Sequence, residues 1–305
     1  MFKRILQIIL SRAAVLYVLA AILVLTVGNL PRAWNHVATS VLSRYMPSHD
    51  YLITFNKDRT TFNFKKNKEF ELYYRKLSQL MPELPDAYAM LGFCYFYDGK
   101  NEKALAAYQD AARLNPMVFN YYYNQGIVAL KSNDAAHALE YFKRSVDVPA
   151  GTNLQFIVTS HVYKPLLPNI KAPELLAQVM GQHSHDVYRR AYLAVLFLAE
   201  ARKDYATMLH YSRQGVVQGF VEPGMGNYYA GLASYGLKDY ATATSYMQEA
   251  IKKGFSYAQV FEVMGFSLQA LKRPESVPAL VAAASLMRDK KIFKSTSPSL
   301  DLLIY

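Results

Sequence analysis

The residues of this chain that could do chemistry are few and scattered. His183, Ser184, His185 and Asp186 form its only histidine cluster, and two imidazoles beside a carboxylate are donors that zinc or copper accepts. No Glu-x-x-His pair and no second cluster accompanies them. A solvated loop between helices is the plainer reading, and no metal or other cofactor is expected. Gly224-x-Gly226 precedes a helical stretch, the place where backbone N–H groups receive phosphate. No strand comes before it and the third glycine is out of place, so a turn is expected there. Cys94 is the sole cysteine and falls mid-helix, where a packed thiol is expected; one thiol closes neither a disulfide nor a thiolate metal cage. No Gly-x-Ser-x-Gly or P-loop is present. A non-catalytic protein is the expectation, with an enzyme or metal protein centred on His183 and His185 as the competing class.

The formal charge of +11 suits nucleic acid, anionic headgroups or an acidic protein, and the N-terminus decides among them. Residues 1–12 carry Lys3, Arg4 and Arg12 and no acid, and residues 13–30 (AAVLYVLAAILVLTVGNL) carry no charge. Eighteen residues of helix span about 27 Å, close to the hydrocarbon core of a bilayer. A cleaved signal peptide is the alternative, with Ala38-x-Ser40 as its best cleavage site. The longer apolar run and the Pro31-Arg32 that follows it favour an uncleaved transmembrane helix. Basic residues are more frequent before the span than after it, which puts the N-terminus in the cytoplasm. The bulk of the chain is then on the periplasmic side of the inner membrane, where nucleic acid is not an expected partner.

Residues 31–50 repeat Trp34, Val37, Ala38, Val41, Leu42 and Tyr45 at helical spacing, giving a juxtamembrane amphipathic helix with Trp34 at headgroup level. A helix packed on the body of the protein explains the pattern equally well. Residues 51–66 alternate around Asn56-Lys57-Asp58-Arg59 and suit either a β-hairpin or a distorted helix. Lys57, Arg59, Lys65, Lys66 and Lys68 crowd this region. Contact with anionic headgroups, about 1 kcal/mol per basic residue, stands there against a plain solvated face.

Internal repetition is the strongest signal. From Pro85 onward the sequence places Tyr88, Leu91-Gly92, Tyr95, Ala104, Tyr108, Ala111 and Pro116. From Phe119 it places Tyr122, Gly126, Ala129, Ala138, Phe142, Ser145 and Pro149, with Gln125 where the first unit has Leu91. Lys203-Asp204-Tyr205-Ala206-Thr207 returns as Lys238-Asp239-Tyr240-Ala241-Thr242, and Gly219-Phe220 returns as Gly254-Phe255, both at an offset of 35. These set units near Arg189 and Gly224. A further unit from Ala258 keeps Phe261, Met264-Gly265 and Leu268, and its Lys272-Arg273-Pro274-Glu275 turn gives a looser register. Residues 153–188 show no signature but fill one pitch, with a helical half at 154–163, a break at 164–168 and a second half at 173–180. They are read as a degenerate unit, an insertion being the alternative. Residues 69–80 look like the second helix of an earlier unit.

This pattern resembles the tetratricopeptide repeat (TPR) family over residues 67–291. The resemblance implies an all-α, right-handed superhelical solenoid of about six helix-pair units, here preceded by one N-terminal transmembrane helix. Residues 292–305 are then a tail that caps the last unit or docks on a partner. In the family, places two, five, nine, twelve and thirteen of each unit face the concave groove. Carried over, the resemblance implies a groove of Phe93, Phe96, Tyr97, Asn120, Tyr123, Ile127, Lys131, Phe197, Tyr228, Leu232 and Tyr235, with Glu200 at one twelfth place. Family members that clamp a carboxylate use Lys and Asn there. Only Asn120 and Lys131 remain of that set, so an apolar helix or extended peptide is the expected ligand, with the chain's own N-terminal segment as the rival occupant. The function expected is a membrane-anchored scaffold or adaptor that recruits protein partners to a cell-envelope complex. The alternative is a periplasmic chaperone-like binder of exported polypeptides.

Overall fold

The computed structural model describes residues 54–56, 59–61, 67–149 and 173–294. The expected span at 13–30, the stretch at 31–50 with Trp34, the tail at 295–305, and Lys57, Lys65 and Lys66 all lie outside these residues. Among the described residues no helix is long and apolar enough to cross a membrane.

Two short strands, β1 (Thr54–Asn56) and β2 (Arg59–Thr61), pair antiparallel with Phe55 opposite Thr60. Eleven helices follow among the described residues: α1 (Asn67–Leu80), α2 (Pro85–Tyr97), α3 (Asn101–Leu114), α4 (Phe119–Lys131), α5 (Ala135–Asp147), α6 (Pro173–Arg202), α7 (Tyr205–Val217), α8 (Pro223–Gly236), α9 (Tyr240–Lys252), α10 (Ala258–Ala270) and α11 (Ser276–Arg288). Each packs chiefly on the helix before it and the helix after it. That arrangement is a solenoid of TPR type, in which an amphipathic helix pair buries its apolar face on the next pair.

Small residues on the first helix of a pair admit large ones from the second. Gly92, Gly126, Gly231 and Gly265 face Tyr108, Phe142, Met247 and Leu280, and a methyl group on any of the four would come within 2.9 Å of its partner. Sixteen residues separate the partners in the first three pairs and fifteen in the last. The looser register expected after the Lys272–Glu275 turn is this missing residue. In the pair α6–α7 the sizes are exchanged: Leu196 holds the glycine place and Ser212 the aromatic place, both with no exposure. Volume is conserved across the interface, as close packing requires.

The turns inside the pairs show why one pentapeptide recurs. Gly99, Asn133, Lys203, Lys238 and Lys272 occupy the same place in five successive pairs, and all are left-handed, with φ between 56° and 73°. The next N–H in each case reaches five residues back, to the carbonyl of Tyr95, Ala129, Ala199, Ser234 or Leu268, at 2.8–2.9 Å. This bond closes the end of the first helix. In three pairs the following residue is an aspartate that caps the second helix. Asp134, Asp204 and Asp239 accept from the N–H of His137, Thr207 and Thr242 at 3.1, 3.1 and 3.2 Å. The Lys-Asp-Tyr-Ala-Thr islands are therefore a helix stop followed by a helix start.

Two expectations are corrected. Gly224 and Gly226, expected in a turn, lie within α8, whose first residue is Pro223. The loop foreseen at residues 183–186 is not formed, because α6 runs unbroken from Pro173 to Arg202. Its interior has no proline, and a lone Gly181 costs a helix only about 1 kcal/mol. The second half of the degenerate unit is thus fused to the first helix of the next one, while its first half at 154–163 lies outside the described residues.

Among the described residues the main apolar core extends from Phe70 to Val263, with a smaller cluster of Leu77, Met81, Leu84 and Ala87 beside it, and tyrosines with anchored hydroxyls stitch the seams of the main core. Tyr211 donates to the Asp147 carboxylate at 3.0 Å, Tyr121 to Asp86 at 2.9 Å, Tyr192 to Gln218 at 2.8 Å, and Tyr188 to the Val148 carbonyl. Gln125 lies in this core at 2% exposure, where Nε2 donates to the Tyr108 carbonyl at 3.1 Å and so partners a polar group that burial would otherwise penalise.

Candidate functional site

The inner-face places fall on α2, α4, α6, α8 and α10, the first helices of the pairs. Their side chains divide into two sets. Phe96, Phe197, Leu232 and Tyr235 are half-buried, while Tyr97 and Lys131 are exposed. Phe93, Asn120, Tyr123, Ile127 and Tyr228 are buried. Among the first set, Phe96 meets Tyr97 edge-on at 5.5 Å, and Tyr235 lies 5.7 Å from Tyr240. Among the second, Phe93 packs under Tyr97 at 4.6 Å and Tyr123 meets Phe142 at 5.3 Å. The buried set forms the floor that holds the open set in place.

Toward the C-terminal end five aromatic rings gather into a half-open cluster. Tyr228, Tyr229, Phe255 and Tyr257 surround the ring of Phe293 at centroid distances of 5.5, 6.3, 4.9 and 5.6 Å. Phe293 arrives on the chain leaving α11, which turns back through Lys290 at φ 57°. The Lys291 carbonyl accepts the first N–H of α10, from Ala258, at 2.9 Å. Gln259 then pairs with Phe293 through both ends of its amide. The Phe293 N–H donates to Oε1 at 3.0 Å, and Nε2 donates to the Phe293 carbonyl at 2.8 Å. Burial, followed by the nearby charges of Glu200, Tyr229 and Glu262, raises the Tyr228 hydroxyl well above the ordinary phenol value. Burial likewise raises the Glu200 carboxyl.

Glu262, Gln259, Tyr257, Tyr229 and Phe293 were not singled out in the sequence, and Phe255 was marked there only as part of a repeated island. Gln259 and Glu262 hold the second and fifth places of the Ala258 unit, so extending the inner-face places by one unit would have found them. Nothing in the local sequence marks Phe293.

Several other sequence candidates have structural duties. Lys68 is largely exposed, but its ammonium lies 2.7 Å from Asp98. The same carboxylate receives Lys100 at 2.8 Å and Asn67 at 2.7 Å, while the buried Glu71 pairs with Lys100 and Arg75. This network binds α1 to the turn between α2 and α3. Arg59 lies on β2. Cys94 has no exposure, and burial together with the charges of Glu71 and Asp98 pushes its thiol up to about 12, far from a reactive thiolate. A methyl group on Gly224 would meet Phe255 at 2.8 Å and the Glu222 carboxylate at 3.3 Å. That glycine serves close packing, and the acid beside it is no neighbour for a phosphate. His185 is exposed with its ring 5.1 Å from Phe220. Among the described residues no three His, Cys, Asp or Glu side chains are grouped to hold a metal. A cleft of about 520 Å³ between α3, α4 and α5 is rimmed by Arg113 and His137, which are paired with Asp110 and Asp134.

Residues 85–117, which form α2, α3 and the link to α4, match the family model described as tetratricopeptide repeat. No curated protein matches the chain in sequence. Among solved structures, MamA from residue 41 to its end, of Desulfovibrio magneticus RS-1, is 16% identical with a TM-score of 0.41, over 69% of this chain and 98% of that one. PilF of Pseudomonas aeruginosa is 12% identical with a TM-score of 0.39, over 85% and 90%. The TPR2AB domain of yeast Sti1, in its pHSP90 complex, is 14% identical with a TM-score of 0.31, over 74% and 86%.

Proposed function

We propose that the chain is a non-catalytic, membrane-anchored scaffold or adaptor whose repeat region holds a protein partner belonging to a cell-envelope complex. Residues 13–30 anchor it in the inner membrane, and the solenoid stands on the periplasmic side. The observation that carries the partner-binding role is the half-open apolar set on the inner face. Phe96, Tyr97, Phe197, Leu232 and Tyr235 keep part of their surface in solvent while packing on a continuous core. Apolar side chains held open and rigid across several helices suit a docking surface, since little side-chain entropy is lost when a partner covers them. The uncharged run at 13–30, with basic residues ahead of it, supports the anchor and its orientation.

The test is site-specific photocrosslinking in native membranes from probes at Tyr97 and Tyr235. A defined crosslinked band is expected from both positions and is expected to disappear when Phe96 and Leu232 become Ala in a chain that still folds. Bands that persist in that variant, or none above an outer-face probe at Arg113, would sink the reading. Protease treatment of spheroplasts tests the topology, with digestion of the repeat region expected.

A further inference from the structure

We propose that the pocket between α8 and α10 recognises an extended peptide through one aromatic side chain, and that residues 290–294 of the chain occupy it in cis. The inference rests on reading the inner face as a partner-binding surface and names the ligand chemistry at one end of it.

Phe293 fills the cluster with its ring. Gln259 also reads both its N–H and its carbonyl, at 3.0 and 2.8 Å. Pairing to one residue's peptide groups fixes an extended backbone without reference to sequence, while a pocket for the side chain supplies selectivity, and together these are the elements of strand-like peptide recognition. The pocket presents four aromatic rings within 6.3 Å of the Phe293 centroid.

The occupant reads Lys-Lys-Ile-Phe-Lys over residues 290–294.

The occupant is also lightly held. Lys290, Lys291 and Lys294 are exposed, Ile292 is 42% exposed, and Phe293 keeps part of its ring in solvent. One ring and three hydrogen bonds tie the segment down, and a competing peptide that makes the same contacts can replace it.

The test uses the whole 305-residue chain in detergent, a fluorescent Lys-Lys-Ile-Phe-Lys peptide and anisotropy. Phe293→Ala is expected to bind the peptide at least about tenfold more tightly than the unchanged chain, because a tethered segment competes at a local concentration of order millimolar. Gln259→Ala in that background, or alanine in place of the peptide's phenylalanine, is expected to abolish binding. Equal affinities of the two chains overturn the proposal. If Phe293→Ala unfolds the last pair, a fluorine label on the Phe293 ring of the otherwise unchanged chain decides instead. Saturating peptide shifts its resonance when the ring is displaced, and an unmoved resonance overturns the proposal. Crosslinks from Tyr97 and Tyr235 that persist while the peptide fails to bind remove this inference alone. Loss of those crosslinks with the peptide still bound removes the scaffold reading.

Discussion

Gly126→Ala in α4 sets two effects of known sign against each other. Alanine is the better helix former by about 1 kcal/mol, so on propensity alone the substitution stabilises. Its methyl group would lie 2.7, 2.8 and 2.9 Å from three ring atoms of Phe142. That ring has no exposure, and Tyr123, equally buried, stands edge-on to it at 5.3 Å. With no space to swing into, the contact costs about 2–3 kcal/mol, the upper part of the range for overpacking. The net expectation is destabilisation by about 1–2 kcal/mol. Phe142→Leu removes the offending edge, and in that background Gly126→Ala should stabilise by about 1 kcal/mol. Stacked helix pairs need not unfold in one step, so the assay is native-state amide exchange read at α4 and α5 rather than a single melt. A coupling energy below about 0.5 kcal/mol, the scatter of independent sites, would refute the claim that this glycine exists to admit the ring.

Four further outcomes follow from particular contacts. Lys238→Gly should raise stability by about 0.5–1 kcal/mol by relieving a left-handed lysine, and Lys238→Val should lower it, both by denaturant titration. Hydrogen bonds from Lys100, Lys68 and Asn67 hold the Asp98 carboxyl well below the usual range. A depressed folded-state value gives stability that is complete above the unfolded value of about 3.9 and is lost as pH falls through the folded one. Unfolding midpoints of the unchanged chain should therefore decline in acid more steeply than those of Asp98→Asn, and parallel slopes would contradict the network. Tyr211→Phe leaves Asp147 without its phenol donor and should cost about 1.5–3 kcal/mol, the worth of a hydrogen bond to a charged group, at the seam between α5 and α7. Cys94 should resist a thiol reagent at pH 8 until the chain opens, and prompt labelling of the folded protein would show that α2 is not packed as described.

Much of the fold was legible because close packing between helices leaves size patterns in the sequence. Gly92 with Tyr108 and Gly126 with Phe142 announce a pair by spacing alone. The α6–α7 pair was harder, since exchanging Leu196 and Ser212 keeps the volume and erases the signature. The Lys-Asp-Tyr-Ala-Thr islands gave the pitch, but their purpose needed the φ values of Lys203 and Lys238. Helix α6 was divided wrongly because His183-Ser184-His185-Asp186 has loop-like composition, while helix termination requires a capping geometry those residues do not supply. At the candidate site the inner-face places could be counted, but their exposure could not. Whether Tyr228 is open or covered depends on Phe293, two units further on, and no local pattern reports that.

The neighbour-to-neighbour packing of the helices also has a mechanical meaning. A load applied between the two ends is borne in series, each seam yielding by its own small angle, so compliance grows with every pair added. The stack then behaves as a spring whose softest seam governs its extension. Helix α6 is a strut within it, its 30 residues reaching about 45 Å. A partner seated on the inner face would feel tension through curvature, its footprint widening as the coil opens, while the five left-handed turns keep each pair intact as a rigid link.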